Sequence, residues 1–191
     1  MKKIVALFSG EGTNLANLIE KIHTKHALIT CAITNNPNAG GIAKARNAGI
    51  PVEILDHHAY DSREAYDTAL VEAIGQYTPD LVVLCGFMRI LTPVFTTNIR
   101  AINLHPSLLP AFKGSRAIER CFESDEPLGG VSVHWVSDEL DGGAIILQKS
   151  FTKNSSDTLE EFSAKIHEIE YEILPQGIIS ILKNGLTAEV N

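Results

Sequence analysis

Asn103 and His105 stand two positions apart in the run Ala-Ile-Asn-Leu-His-Pro-Ser-Leu-Leu-Pro over residues 101–110. The apolar start predicts a short buried strand, on which side chains at i and i+2 share a face. Pro106 lacks an N–H and ends the ladder, so both polar groups fall at the strand's carboxyl end. An amide that donates hydrogen bonds beside an imidazole that exchanges protons suits acyl transfer. Such an imidazole needs a partner to hold one tautomer. Asp141, in Asp138-Glu139-Leu140-Asp141-Gly142-Gly143, is the best candidate, in a loop between two predicted strands. The plainer reading is that Asp141 shapes a turn and that Asn103 and His105 serve nearby backbone. Three groups suited to one job at adjacent strand ends favour a site.

A second constellation is Ser9-Gly10-Glu11-Gly12-Thr13-Asn14, between a predicted strand and a predicted helix. Backbone N–H groups and the helix dipole hold anions at such a place; the alternative is a tight turn with a helix cap at Thr13 or Asn14. Leu15 replaces the third glycine of a dinucleotide fingerprint. The second strand ends in Thr34, Asn35 and Asn36 rather than an acidic residue. No Gly-Lys-Ser/Thr follows, which excludes an NTPase loop. A phosphomonoester fits better than a dinucleotide. Gly86-Phe87-Met88-Arg89-Ile90-Leu91 follows an all-apolar strand, where open α/β sheets bind ligands. It suits a flat heterocycle, or is an ordinary packed loop with a solvated Arg89. His134 alternates away from Val133 and Trp135 and points either at the site or at solvent. His23, His26, His57 and His58 lie in polar stretches and read as surface.

Short apolar runs alternate with helical patterns, which predicts an α/β fold with a parallel sheet flanked by helices. Strands are predicted over 4–8, 28–33, 52–55, 81–85, 101–104, 131–136 and 144–147. The sixth alternates Val131, Val133 and Trp135 against Ser132 and His134, so it reads as half-buried. Leu15, Leu18, Ile19 and Ile22 mark a first helix, and residues 42–48 a second. A third helix carries Tyr66, Leu70 and Ile74 after a cap at Asp61 or Ser62. A long C-terminal helix begins at Asp157 with Glu160 in capping-box position and a stripe of Leu159, Phe162, Ile166, Ile169 and Ile173. Pro175 is expected to kink or split it.

At 191 residues the chain favours one domain, able to bury roughly 70% of its unfolded surface. It is 45% hydrophobic and 20% charged, an ordinary globular balance. A net charge of -7 argues against nucleic acid as the main partner. Cys31, Cys85 and Cys121 have no metal-type spacing and read as reduced, core-lining thiols of a cytoplasmic protein. The apolar run Ile4 to Phe8 is broken by Ser9-Gly10-Glu11 too early for a signal or membrane segment, so no membrane partner is expected.

Taken together, Ser9–Asn14, the run Asp61-Ser62-Arg63-Glu64-Ala65-Tyr66-Asp67, Gly86–Leu91, Asn103–Pro110, Val131–Val136 and Asp138–Gly143 closely resemble the folate-dependent glycinamide ribonucleotide formyltransferases of purine synthesis. The segments are collinear from near residue 4 to about residue 175. The resemblance implies a Rossmann-like, mostly parallel seven-stranded sheet with one antiparallel strand. It implies a single formyltransferase domain over 1–191, with a phosphate-binding half (1–100) and a catalytic and folate-binding half (101–191).

It further implies transfer of a formyl group from 10-formyltetrahydrofolate, the cosubstrate, to the amine of glycinamide ribonucleotide. In that family pattern Asn103, His105 and Asp141 match the catalytic trio. Gly12, Thr13 and Asn14 match the substrate-phosphate loop, and Glu170 a carboxylate that meets the glycinamide portion. Phe87, Met88, Arg89, Ile90 and Leu91, with Asp138 and Asp141 and the trio's Asn103, match the folate pocket. Arg63 and Arg89 lie where the family meets folate or its glutamate tail. On this reading Asn103 and a protonated His105 stabilise the oxyanion, and Asp141 raises the histidine's pKa and relays a proton. No metal is required, and the chain acts as a monomer or homodimer on small molecules. Arg116 stands where many relatives have histidine and is left outside the set.

The nearest alternative is formyltetrahydrofolate hydrolase, which resembles this core but carries an added regulatory region at its amino end, whereas this sequence starts at the first strand. Methionyl-tRNA formyltransferase shares the Ser-Leu-Leu-Pro run but needs a second, RNA-contacting domain. A nucleotide-binding module without catalysis would keep the glycine loop yet not need Asn103, His105 and Asp141 together.

Overall fold

The computed structural model describes residues 1–184. Seven strands form one sheet in the order β3-β2-β1-β4-β5-β6-β7. They are β1 (Lys3–Phe8), β2 (Leu28–Thr34), β3 (Val52–Ile54), β4 (Leu81–Leu84), β5 (Ala101–His105), β6 (Leu128–Trp135) and β7 (Ile145–Thr152). The helices are α1 (Thr13–Lys21), α2 (Gly41–Asn47), α3 (Arg63–Gln76), α4 (Pro93–Thr96), α5 (Ala117–Glu123) and α6 (Leu159–Asn184). The sheet is mostly parallel with one antiparallel pair, β6 with β7. The chain divides into two compact units, residues 1–102 and 103–191.

In the first unit β1 pairs in parallel with both β2 and β4. Its residues Ile4–Phe8 and all of β4 are buried, as expected of strands covered on both faces. α1 packs through Leu15 and Leu18, and α3 through Tyr66, Leu70 and Ile74, each one helical turn from the next. Ser62 caps α3, its Oγ accepting from the Ala65 N–H at 3.0 Å. Asp67 is buried at 1% exposure and accepts from both the N–H (2.6 Å) and the hydroxyl (2.7 Å) of Thr92. That carboxylate fixes the start of α4, a turn with no sequence periodicity to announce it.

In the second unit β6 and β7 pair in antiparallel register, Val131 opposite Lys149 and Val133 opposite Leu147, with a register shift between Val133 and His134. Ser132 and His134 are buried along with Val131 and Val133, so β6 is covered on both faces rather than half-exposed. α6 supplies Phe162, Ile166, Ile169 and Ile173 to the core. Its capping box falls one residue later than the sequence suggested. The Thr158 N–H donates to Glu161 at 2.8 Å and the Glu161 N–H to Thr158 Oγ1 at 3.2 Å. Glu161 rather than Glu160 reaches back, because the helix begins at Leu159. Pro175 lies inside a helix that continues to Asn184, so it does not split the element. Cys31, Cys85 and Cys121 are buried free thiols, and burial pushes the Cys85 thiol up to about 12.

Candidate active site

β5 carries Asn103 and His105 to its carboxyl end, and Pro106 follows directly. Asp141 comes from the loop between β6 and β7 in a left-handed conformation, φ 51°, which Asp tolerates better than most residues. His105 and Asp141 are 5% and 9% exposed. Nδ1 of His105 faces Asp141 Oδ2 at 3.4 Å, and its Nε2 donates to the Phe112 carbonyl at 2.9 Å. Asp141 Oδ2 also accepts from the Gly114 N–H at 2.7 Å.

A fourth side chain completes the cluster. His134 is 2% exposed, its Nδ1–H donates to the Trp135 carbonyl at 2.9 Å, and its Nε2 meets Asn103 Nδ2 at 3.2 Å. With the proton on Nδ1, Nε2 accepts from the amide. Asp141 Oδ1 lies 3.6 Å from the same Nε2, which is the longer contact, so Asn103 rather than Asp141 engages this nitrogen. Asn103 Nδ2 turns its other hydrogen to Asp141 Oδ1 at 3.4 Å. The strand alternation left His134 undecided; the register shift at Val133/His134 marks where β6 is re-aimed beside the site.

The electrostatics differ from the expectation of a protonated His105, although Asp141 does raise its pKa. Burial pushes the His105 imidazole below its ordinary value; the Phe112 carbonyl and Asp141 pull it up without offsetting that cost. For Asp141, burial works to raise the carboxyl. The neighbouring His134 ring, the Gly114 N–H and His105 together outweigh it and hold the group below the usual carboxylate range. The resting pair is therefore a neutral imidazole beside a carboxylate, with an acceptor in front of each ring nitrogen. A proton delivered to Nδ1 produces an imidazolium already met by Asp141 and Phe112. Phe112 itself has φ 56°, a strained state for a bulky residue costing about 1–3 kcal/mol. It occurs where that residue's carbonyl meets His105.

The first unit holds most of the other sequence-predicted groups. Gly12 is the N-cap of α1 with φ 70° and no side-chain cap bond, so neither Thr13 nor Asn14 is the cap. A Cβ on Gly12 would lie 2.6 Å from Gly41 Cα, which explains the glycine. Lys44 Nζ donates to the Glu11 carbonyl, placing a cation beside the loop. Arg63 opens α3 and is exposed. The Met88 N–H donates to Ser9 Oγ at 2.7 Å. Phe87 is buried, whereas Met88 and Ile90 are 75% and 54% exposed. Arg89 lies over the Tyr66 ring at 5.5 Å, and its Nε is buried with no hydrogen-bond partner among the described residues. A cleft of about 450 Å³ lies against Ser9, Asn35, His57, Met88 and Arg89. His57 is half-buried against Asn35 (Nδ1 to carbonyl, 3.1 Å) rather than solvated. In the second unit Asp138 is exposed, and Glu170, 6% exposed, is bound by His167 Nδ1 at 2.8 Å.

A formyl transferase family model matches residues 2–178. The chain belongs to the formyl transferase family. The phosphoribosylglycinamide formyltransferase of Escherichia coli (strain K12) is 41% identical over 186 residues, covering 95% of this chain and 87% of that protein. The crystal structure of phosphoribosylglycinamide formyltransferase from Campylobacter jejuni is similar with a TM-score of 0.92 at 52% identity, covering 94% of this chain and 97% of that one. Glycinamide ribonucleotide transformylase 1 from Symbiobacterium toebii gives 0.92 at 35% identity, over 96% of this chain and 89% of that one. Within this formyl transferase chain, Phe112 and Gly114 are the contributors that sequence reading missed. They act through backbone atoms, which no residue type reveals.

Proposed function

We propose that this protein transfers the formyl group of 10-formyltetrahydrofolate to the primary amine of glycinamide ribonucleotide, a step of purine biosynthesis. The observation that carries the reading is the buried His105–Asp141 pair, 3.4 Å apart, with Asn103 held between His134 and Asp141. Relatives at 41% and 52% identity that bear the phosphoribosylglycinamide formyltransferase name support it.

In the proposed reaction the amine attacks the formyl carbon and the carbonyl becomes a tetrahedral oxyanion. Asn103 Nδ2 stabilises that oxygen by exchanging its long bond to Asp141 for it. Neutral His105 takes the proton released by the amine on Nδ1, directly or through one water. The imidazolium so formed is stabilised by Asp141 and the Phe112 carbonyl more than the resting ring is, which lowers the barrier. His105 then returns the proton to the departing folate nitrogen, and the carbon–nitrogen bond to folate breaks as the carbonyl re-forms. These steps use side chains and substrates alone, with no metal.

The substrate phosphate is assigned to Gly12, Thr13 and Asn14, where α1 presents its first-turn N–H groups. Glu170 is assigned to the glycinamide portion. Arg63, Phe87, Met88, Arg89, Ile90, Leu91, Asp138 and Asp141 are assigned to folate. We place the activity in one formyltransferase domain over 1–191, acting in the cytoplasm as a monomer or homodimer on small molecules. No described helix is long and apolar enough to cross a membrane.

The test is a stopped assay with 10-formyltetrahydrofolate and glycinamide ribonucleotide, without added metal or ATP. Formylated product equal to the folate consumed is expected. Formate release that ignores the amine acceptor would assign the hydrolase instead.

A further inference from the structure

Both proposed catalytic groups lean on the segment 112–116, which belongs to no strand or helix. Phe112 offers its carbonyl to His105 (2.9 Å) and Gly114 its N–H to Asp141 (2.7 Å). The backbone between them is irregular, with positive φ at Phe112 (56°), Gly114 (78°) and Arg116 (54°). A loop of that shape has no ladder to hold its peptide planes, so its orientation depends on side chains.

Arg120, on α5, reaches back over this segment. Its Nη2 donates to the Lys113 carbonyl at 2.5 Å and its Nε to the Ser115 carbonyl at 3.1 Å. The Lys113 carbonyl and the Gly114 N–H belong to one peptide group, and in a trans peptide they point in opposite directions. Arg120 therefore grips one end of the peptide whose other end grips Asp141. A guanidinium on the carbonyl polarises the peptide and strengthens its N–H as a donor to the carboxylate. The second bond, to Ser115, fixes the guanidinium plane, so the peptide is held in direction as well as attracted. Lys113 adds an ion pair to Glu139 at 2.7 Å, but with side chains 34% and 70% exposed it contributes little.

We propose that Arg120 is a positioning residue for the formyl transfer. By clamping the Lys113 and Ser115 carbonyls it aims the Gly114 N–H at Asp141, and through Asp141 it sets the alignment of His105. The inference rests on the proposed role of the His105–Asp141 pair and extends it to a side chain that touches neither substrate nor reacting atoms.

Arg120 is exposed, so its replacement leaves the core intact, which thermal melting verifies. Arg120→Gln is expected to lower kcat by about 3- to 10-fold, the scale of one net hydrogen bond, with both KM values unchanged. In the same variant the Gly114 amide proton, followed by nuclear magnetic resonance, moves upfield and exchanges about tenfold faster. Arg120→Lys keeps the charge but not the two-carbonyl fork, and is expected to stay as slow as Arg120→Gln. An unchanged Gly114 amide, an unchanged kcat, or full recovery in Arg120→Lys each overturns the clamp. Absence of turnover in the unaltered protein overturns the proposed function instead, while the Gly114 amide still decides the clamp.

Discussion

Nε2 of His134 lies 3.2 Å from Nδ2 of Asn103, so a histidine on β6 dictates which way an amide on β5 faces. The ring is itself held, its Nδ1–H on the Trp135 carbonyl. His134→Ala removes the acceptor and leaves Asn103 free to turn. We expect kcat to fall by about 10- to 100-fold with KM for glycinamide ribonucleotide within about threefold. A kcat equal to that of the unaltered protein would remove His134 from the machinery.

In the proposed reaction His105 and Asp141 move one proton together, so their losses should not add. His105→Gln and Asp141→Asn are each expected to lose at least about 100-fold in kcat/KM, while circular dichroism stays native. The double variant should be little worse than the poorer single one. Multiplying losses would show two independent roles.

Acid should weaken the fold in two steps. A histidine whose pKa is lowered on folding binds its proton more readily when unfolded, so stability falls as pH drops below the ordinary value of 6.5. Asp141, lowered from 3.8, stabilises the fold above that value and loses its contribution as pH falls through its depressed pKa. His167, raised by its hydrogen bond to Glu170, works the other way and adds stability as pH falls. That contribution is common to the unaltered protein and His105→Gln, so between pH 8 and 5 the urea midpoint of the unaltered protein should lose more on acidification than that of the variant. Parallel pH profiles in the two proteins would reverse the assignment.

Gly12→Ala puts a methyl 2.6 Å from Gly41 Cα at φ 70°. The strain should lower stability by about 1–3 kcal/mol and raise KM for the phosphate-bearing substrate more than KM for folate. Equal changes in both KM values would detach this loop from the phosphate.

Asp67 should matter for folding and not for chemistry. Asp67→Ala strips two bonds from Thr92 and leaves a buried N–H unpaired, a cost of about 2–3 kcal/mol. Calorimetry should show the drop, with kcat preserved below the new melting point. A melting point equal to that of the unaltered protein would mean that water replaces the carboxylate.

The strand–helix alternation was legible because apolar periodicity registers burial directly. Tyr66, Leu70 and Ile74 repeat at helical spacing, and Leu81–Leu84 carries no polar residue. The short helix α4 escaped because four residues are too few for a period to show; the contact of Asp67 with Thr92 defines it instead. α5 escaped because it follows Arg116 with no side-chain cap to announce it. The capping box lies at Thr158 and Glu161, one residue beyond Asp157 and Glu160, because both pairs fit its spacing.

At the candidate site the sequence by itself determined the groups proposed to react. Strand alternation puts Asn103 and His105 on one face, Pro106 ends the strand, and Asp141 stands in a loop rich in glycine. What only the tertiary structure decided is how those groups are charged and aimed. Burial, a property of surrounding mass rather than of residue type, makes the resting His105 neutral against the pull of Asp141. The acceptor and donor that fix the pair are the Phe112 carbonyl and the Gly114 N–H, atoms that every such residue carries. Nothing in a string of side chains distinguishes one peptide group from another; only the path of the folded backbone does.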